Sequence, residues 1–183
     1  MTIPTDRLII RDFKRADAER MYRIAREKDM LRFMADWAGG MERPQDYYKY
    51  IDWMRRRKHS KDMRSNKRYA VTLRENDEMI GMVGMGLEDG LGEVEVAYFM
   101  DEAHQRRGYT KEALNALTEW IFSVSNVPWL IATIDCANEA SCKTALSCGF
   151  ALYERRTPMN HKQHNMESDS YFYFRRYRPQ SLI

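Results

Sequence analysis

Two glutamates near the middle of the chain have a spacing that suits proton transfer. Glu93 and Glu95 lie two residues apart in an apolar run typical of a β-strand, so both project from one face, together with Ala97 and Phe99. A carboxylate that faces a cleft can accept the proton of a reacting amine through water. A cross-strand salt bridge or a solvated sheet face is the alternative for either glutamate. The spacing therefore predicts a candidate base without choosing between them.

The segment after this strand has the composition of a phosphate-binding loop. A polar turn leads into an amphipathic helix and ends in six consecutive residues: Gln105, Arg106, Arg107, Gly108, Tyr109 and Thr110. Backbone N–H groups at a helix start bind phosphate oxygens, a glycine allows close backbone approach, and arginines add positive charge. A glycine that only turns the chain is the simpler interpretation. The position of the loop between a strand and a helix favours a pyrophosphate site.

A second polar segment opens a short helix predicted over residues 140–148. Asn138 precedes this helix, Ser141 lies in its first turn, and Gly149 ends it. An asparagine at such a position caps the helix or contacts a ligand, and the two roles are compatible. The same two interpretations apply to the hydroxyl of Ser141.

Hydrophobic periodicity predicts the elements that hold these residues. Strands are predicted over residues 8–13, 69–73, 79–86, 93–100, 130–134, 151–156 and 170–177. The three from 69 to 100 form an antiparallel meander, and the fully apolar run 130–134 forms a central, buried strand. A first helix, which Asp17 can cap, has an apolar face of Met21, Ile24, Ala25 and Leu31. A second, opened by Pro44, has an apolar face of Tyr47, Ile51 and Met54, and a third spans residues 110–124.

Length and composition predict one globular domain over residues 1–183. The chain has a formal net charge of +3 with interspersed charges, so charge alone does not predict a nucleic-acid or membrane partner. It contains no apolar run of about 20 residues and no start like that of a signal peptide. Cys136, Cys142 and Cys148 are odd in number and form no C-x-x-C pair, which indicates free thiols, no metal framework and a cytoplasmic location.

A basic stretch from Arg55 to Arg68 follows the second helix. Long cationic side chains prefer water, so a solvated helix end and loop is one interpretation, and a site for an acidic substrate or partner is the other. The run from Arg55 to Lys58, with nearby tyrosines, also raises nucleic-acid binding, although no nucleic-acid motif accompanies it.

Several of these segments together resemble the GCN5-related N-acetyltransferase (GNAT) superfamily. Residues 105–110 are similar to its Q/R-x-x-G-x-G/A coenzyme A loop, with Thr110 in place of Gly or Ala. Residues 138–143 and the later Gly149 and Phe150 are similar to its N-x-x-A/S helix followed by G-F. The opening, residues 5–11, resembles the T-x-R-L-x-L-R start of the RimJ/RimL-type branch, which acetylates ribosomal-protein N-termini. The resemblance covers nearly the whole chain and is weakest over residues 39–67, where the family's acceptor specificity resides.

The resemblance implies a mixed α+β GNAT fold. Its central, mostly antiparallel and twisted sheet has two splayed strands, the fourth and fifth in the family's order, and is flanked by helices. It also implies transfer of an acetyl group from acetyl-CoA, as cosubstrate and without a metal, to a primary amine on a protein N-terminus or a small molecule. The protein is expected to be a monomer or a homodimer. A coenzyme A-binding regulatory module is the competing interpretation.

The resemblance also assigns expected roles. Backbone groups of Tyr98, Phe99 and Met100 hold pantetheine and stabilise the oxyanion, and Glu95 matches the glutamate of the branch pattern and is the expected base. Many members have a tyrosine seven residues after the helix asparagine that protonates the leaving thiolate. That position is Ala145 here, which leaves Ser141 as a candidate acid or as a pantetheine contact. Cys142 lacks a matching histidine, so direct attack without an acyl-cysteine is predicted.

Overall fold

A single eight-stranded sheet forms the centre of the protein. The computed structural model describes residues 1–38, 41–57, 62–157 and 168–179. The strand order is β1-β2-β3-β4-β5-β6-β8-β7. The strands are β1 (Thr2–Pro4), β2 (Leu8–Arg11), β3 (Lys67–Leu73), β4 (Met79–Glu88), β5 (Glu93–Met100), β6 (Trp129–Asp135), β7 (Ala151–Arg156) and β8 (Tyr171–Tyr177). Every neighbouring pair is antiparallel except β5 and β6, which are parallel. The predicted mixed α+β fold is confirmed.

Helices cover both faces of this sheet. The α-helices of the described residues are α1 (Ala18–Ile24), α2 (Lys28–Phe33), α3 (Ala35–Ala38), α4 (Tyr47–Arg57), α5 (Tyr109–Val124) and α6 (Glu139–Ser147). One buried cluster contains the apolar stripe of α5, including Leu114, Leu117 and Ile121. A second contains Met21 of α1 and Ile51 of α4. Within the described ranges, no helix is long and apolar enough to cross a membrane.

The first predicted helix forms two helices, α1 and α2. The apolar face predicted for it is wrong at Leu31, which is exposed. After α1 the chain tightens into i to i−3 hydrogen bonds, and Glu27 adopts an extended conformation that resets the helical phase. Met30 therefore faces the core with 3% of its surface exposed, whereas Leu31 is 52% exposed. Asp17 does not cap α1 through its side chain, because its carboxylate pairs with the buried Arg11 at 2.8 Å.

The predicted meander and central strand are confirmed. Strands β3, β4 and β5 pair in sequence, and β6 lies between β5 and β8 with Leu130 and Ile131 fully buried. Pro44 opens a short 3-10 turn before α4. Gly149 ends α6 at a φ of +78°, a conformation that costs an L-residue energy. The short strand β1 was not predicted, since three residues carry no readable periodicity.

The last residues of the basic stretch belong to the sheet. Lys67 and Arg68 begin β3, and Lys67 is 3% exposed. The solvated interpretation is therefore wrong for this end of the stretch. Residues 58–61 lie outside the described residues, as do residues 39 and 40.

Strands β5 and β6 separate soon after they meet. Their register contains one residue pair, Glu95 with Ile131. Beyond that pair, residues of both strands line a cleft between them. This divergence places the carboxyl end of β5, the start of α5 and the start of α6 around one opening, which is where the predicted site residues lie.

Candidate active site

A cleft of about 1000 Å³ runs between the diverging strands and under helices α2 to α4. It brings together nine of the predicted site residues: Glu95, Tyr98, Phe99, Met100, Gln105, Arg106, Thr110, Asn138 and Ser141. The other three, Arg107, Gly108 and Tyr109, belong to the same loop but do not line the cleft. Residues far apart in the sequence are thus assembled around one space.

In the predicted phosphate loop, two residues before α5 have a left-handed backbone conformation. Arg106 has a φ of +60° and Gly108 a φ of +80°, and Gly108 directly precedes the helix. Such alternation turns successive N–H groups toward one side, the arrangement that binds anions, at the positive end of the dipole of a 16-residue helix. The side chain of Gln105 donates to the carbonyl of Met100 at 3.2 Å and ties the loop to β5. These features fit a pyrophosphate.

A buried carboxylate fixes the turn between β5 and this loop. Asp101 is 2% exposed and accepts hydrogen bonds from the backbone N–H of His104 at 2.9 Å and from Nδ1 of its ring at 2.6 Å. Its second oxygen pairs with Arg20 of α1. The entry to the loop is therefore held by both the turn itself and the opposite helix.

The N-terminal segment clamps the far side of the loop. Arg7 donates from Nε to Glu112 of α5 at 2.7 Å and from Nη1 to the carbonyl of Arg107 at 2.9 Å. Its guanidinium carbon lies 4.5 Å from the centre of the Tyr109 ring. Thr5 donates to the same carboxylate of Glu112 at 2.5 Å. Tyr109 therefore faces Arg7, and the opening of the chain positions the loop.

The two glutamates of β5 have different surroundings. Glu93 accepts from Trp129 and Tyr173 at 2.6 Å and pairs with Arg175 at 3.2 Å, so the salt-bridge interpretation holds for it. Glu95 lines the cleft at the point where the strands diverge. One of its oxygens, Oε1, accepts from the backbone N–H of Thr133 at 3.0 Å and from its hydroxyl.

Burial raises the pKa of the Glu95 carboxyl above its ordinary value, and the hydrogen bonds from Thr133 oppose that shift. A carboxylate whose pKa moves toward neutrality is a better proton acceptor near pH 7. The second oxygen, Oε2, receives no hydrogen bond from any described residue. Glu95 thus has both the position and the free lone pairs that a base requires.

Ser141 and Asn138 meet the side chain of Tyr98 at the start of α6. The hydroxyl of Ser141 donates to the Tyr98 hydroxyl at 2.9 Å, which in turn donates to the Ser141 carbonyl at 3.1 Å. Asn138 accepts from the Ser141 N–H at 3.1 Å and caps the helix while lining the cleft. The predicted capping role of Asn138 is therefore confirmed. Tyr98 contributes a phenol to the cleft, which the sequence reading had not included.

The cysteines have the surroundings of inert thiols. All three are free, and Cys148 is buried. Burial raises the pKa values of the thiols of Cys142 and Cys148 above their ordinary values. A raised pKa leaves less thiolate, the nucleophilic form.

The other end of the cleft is built mostly from residues that the sequence pattern did not assign to a site. The exception is Arg68, the last residue of the basic stretch for which an acidic substrate was one interpretation. This end contains Trp37 of α3, Tyr50 and Trp53 of α4, and Asn66 and Arg68 at the start of β3. The Trp37 ring lies 4.5 Å from Phe99 and 6.3 Å from Tyr50, measured between centroids. The tyrosines and tryptophans of α4 that lie outside its buried face could have indicated a binding surface. Their spacing, however, gave no reason to place them near the phosphate loop.

Comparison with known proteins decides the family. The model described as "Acetyltransferase (GNAT) domain" matches residues 7–151, which is most of the chain. This protein belongs to the GNAT acetyltransferase family. Among curated relatives, the uncharacterized N-acetyltransferase YnaD of Bacillus subtilis (strain 168) is 25% identical over 149 residues, covering 81% of this chain and 82% of YnaD. YjdG, an uncharacterized N-acetyltransferase of the same organism, is 29% identical over 94 residues. That match covers 51% of this chain and 56% of YjdG, so it spans about half of each protein.

Solved structures share the fold of this GNAT protein over nearly its whole length. A GNAT-family acetyltransferase from Bacillus anthracis superposes with a TM-score of 0.77 at 19% identity, covering 98% of this chain and 100% of that one. The ribosomal-protein-S5-alanine acetyltransferase of Vibrio fischeri gives 0.77 at 15% identity, with 98% of each chain covered. The microcin C7 self-immunity acetyltransferase MccE, solved with acetyl-CoA and AMP, gives 0.77 at 16% identity, covering 94% and 93%.

Proposed function

We propose that this GNAT protein transfers an acetyl group from acetyl-CoA to a primary amine by direct attack within a ternary complex. The observation that carries the proposal is the single cleft, which is lined at one end by the phosphate loop and in the middle by Glu95 and Ser141. The structure of MccE with acetyl-CoA and the RimL structure with coenzyme A support the same donor here. One domain over residues 1–183, in the cytoplasm and acting as a monomer or homodimer, is part of the proposal.

The residues of the cleft divide the work of binding. N–H groups of residues 106–108 and the arginines beside them hold the pyrophosphate, and Asn138 and the backbone of Tyr98, Phe99 and Met100 hold the pantetheine arm. Acetyl-CoA supplies an activated acetyl thioester. Thr110 lies on the cleft wall, where its hydroxyl can donate to a phosphate oxygen.

Glu95 acts as proton acceptor during the transfer, and Ser141 is a candidate proton donor. The neutral amine attacks the thioester carbonyl, so that a C–N bond forms and the C–S bond breaks. Glu95 accepts the proton that the nitrogen loses, directly or through water. The thiolate leaves as the thiol of coenzyme A, taking a proton from solvent or from the Ser141 hydroxyl, which Tyr98 orients. The amide and the free thiol are the products.

The nature of the amine is the less defined part of the proposal. The similarity of the opening, the glutamate strand and Ser141 to the RimJ/RimL-type branch supports a protein N-terminus, and a small-molecule amine fits the same chemistry.

Purified protein tested against acetyl-CoA and a panel of amines and peptides, with thiol release as the readout, tests this function. Thiol release that depends on both substrates supports an acetyltransferase. Binding of acetyl-CoA without turnover on any acceptor would instead support a coenzyme A-binding regulatory module.

A further inference from the structure

Arg68 is a half-buried cation that forms no salt bridge in the described part of the chain, and the Glu95 carboxylate acts on its charge only through space. Its Nη1 donates to the backbone carbonyls of Met85 at 2.7 Å and Lys67 at 3.1 Å. Within residues 1–38, 41–57, 62–157 and 168–179, no ion pair includes its guanidinium, which lines the cleft. Burial lowers the pKa of this group below its ordinary value. A desolvated charge without a direct carboxylate contact is costly to keep unless it has such a partner for part of the time.

The strand pairing places Arg68 near the part of β5 that contains Glu95. In the sheet register Arg68 is opposite Gly84 on β4, and Gly84 is opposite Ala97 on β5. A Cβ at Gly84 would collide with Cδ of Arg68, so the side chain lies across this glycine. Gly86 is opposite Glu95, and a Cβ added there would meet Asn66 at 3.3 Å. The missing side chains of these two glycines thus leave room for Arg68 and Asn66 on the side of the sheet where Glu95 lines the cleft.

Asn66 adds an acceptor next to this floor. Its Oδ1 is buried and receives no hydrogen bond from any described residue. Buried polar atoms are rarely left without partners, because an unmade hydrogen bond costs about 1–3 kcal/mol. This oxygen is suited to an N–H donor, and it lies two residues before Arg68, immediately ahead of β3.

The walls above the floor are aromatic. Trp37 donates from Nε1 to the hydroxyl of Tyr50 at 3.3 Å, which satisfies the indole N–H and fixes the two rings relative to each other. The Tyr50 and Trp53 rings lie 5.9 Å apart. Aromatic faces favour apolar and ring-bearing groups. A cation, an orphan acceptor, a candidate base and an aromatic wall therefore surround one space.

We propose that the acceptor is a free α-amino acid with a large apolar side chain, whose carboxylate binds Arg68. Its amine then lies toward Asn66 and Glu95, and its side chain packs on Trp37, Tyr50 and Trp53. This inference rests on the proposed function and specifies its acceptor. A polyamine would bring a second cation beside Arg68. A peptide N-terminus offers a neutral carbonyl where the free amino acid offers a charge, and charge-assisted hydrogen bonds are about twice as strong.

The test compares three acceptors that share one ring: L-phenylalanine, L-phenylalaninamide and 2-phenylethylamine. Thiol release should give phenylalanine a kcat/KM about 10- to 100-fold above 2-phenylethylamine, the range expected for hydrogen bonds to a charged group. Arg68→Met should remove most of this preference, measured as the ratio of the two kcat/KM values, so that any common effect through the neighbouring charge of Glu95 cancels. Arg64→Met, which changes an exposed arginine shortly before β3, should leave the preference intact. Arg68→Gln, which removes the charge but keeps an N–H donor for the carbonyls of Met85 and Lys67, should also reduce the preference, and it provides the test if Arg68→Met does not fold.

Several outcomes would overturn this acceptor class. A higher kcat/KM for phenylalaninamide than for phenylalanine would point to a peptide N-terminus, and an unchanged preference in Arg68→Met would remove the carboxylate site. Either result leaves the proposed acetyl transfer standing. If no amine supports thiol release, the proposed function fails, and calorimetry of phenylalanine with the protein and coenzyme A then decides: binding that Arg68→Met abolishes supports the site, and absence of binding refutes it.

Discussion

The two ends of the cleft were specified by the sequence in different ways. The donor end is made from two continuous segments, residues 105–110 and 138–141, and the hydrogen bonds of Gln105, Asp101 and Asn138 fix it locally. The acceptor end is made from single residues of α3, α4, β3 and β5, which only the sheet register and helix packing bring together. One end is therefore built to hold a constant group, while the other can be altered residue by residue.

The largest expected effect concerns the donor end. Gly108→Glu should reduce the affinity for acetyl-CoA below detection, because the new side chain strains a residue at a φ of +80° and places a negative charge beside the phosphates. Calorimetric titration of the folded variant measures this. Gly92→Glu is the matched control, since Gly92 has a φ of +68°, open space around it and a position outside the cleft. Equal affinities in wild type and Gly108→Glu would remove the loop from the site.

The next effect concerns the junction between the two ends. Glu95→Gln should lower kcat/KM by up to about 10²-fold below the pKa of the amine, and activity should recover as the pH rises, since solvent then deprotonates the acceptor. In the wild type, activity should rise as Glu95 ionises, at a pH above the usual range of a glutamate because burial raises its pKa. Ser141→Ala should cost less and show little pH dependence.

Glu93→Gln is the matched control for this pH profile, because its carboxylate is held by Trp129, Tyr173 and Arg175. It should lower the melting temperature and leave the shape of the pH–rate profile unchanged. A Glu95→Gln profile parallel to the wild type, with Ser141→Ala the more damaged enzyme, would assign Glu95 to strand structure alone.

A smaller effect is expected where the N-terminal segment clamps the loop. Arg7→Ala removes the contacts with Glu112, Tyr109 and the Arg107 carbonyl, so the loop loses support and the KM for acetyl-CoA should rise about 10-fold with little change in kcat. Steady-state kinetics separates the two constants. Arg23→Ala, which removes an exposed ion pair with Glu19, should change neither. A fall in kcat alone would mean that Arg7 acts on the chemistry and not on donor binding.

The smallest effect is expected at the thiols. Replacing Cys136, Cys142 and Cys148 together by alanine should leave kcat/KM within about 3-fold of the wild type, because the amine attacks the thioester without an acyl-cysteine. A melting curve checks the fold, since Cys148 is buried. Acetyl trapped on one of these sulfurs at a kinetically competent rate would contradict direct transfer.

The sequence predicts the features of the fold that depend on local residue patterns, and it does not predict those that depend on contacts between distant segments. The meander of β3, β4 and β5, the buried character of β6 and the loop before α5 depend on local periodicity and on one glycine, so the sequence could predict them. The first helix was misassigned at Leu31 because a turn at Glu27 shifts the helical phase, which periodicity alone does not register. The distinction between Glu93 and Glu95 required the partners on β6 and β8.

The acceptor end of the cleft could not be predicted from the sequence, because it also depends on contacts between distant segments. Arg68 looked like the last member of a basic, solvated stretch, and its burial depends on its entry into β3 opposite Gly84. Alternating glycines at positions 84 and 86 of β4 were the available signal, since a strand that omits two side chains on one face leaves space there. That signal acquires meaning only when the neighbours of β4 are known.

A crystal structure of the protein with coenzyme A tests the central claim most directly. We expect the pyrophosphate against the N–H groups of residues 106–108, the pantetheine arm between β5 and β6, and the thiol within reach of Ser141 and Glu95. A pyrophosphate bound outside the loop, or a thiol directed away from Glu95, would contradict it.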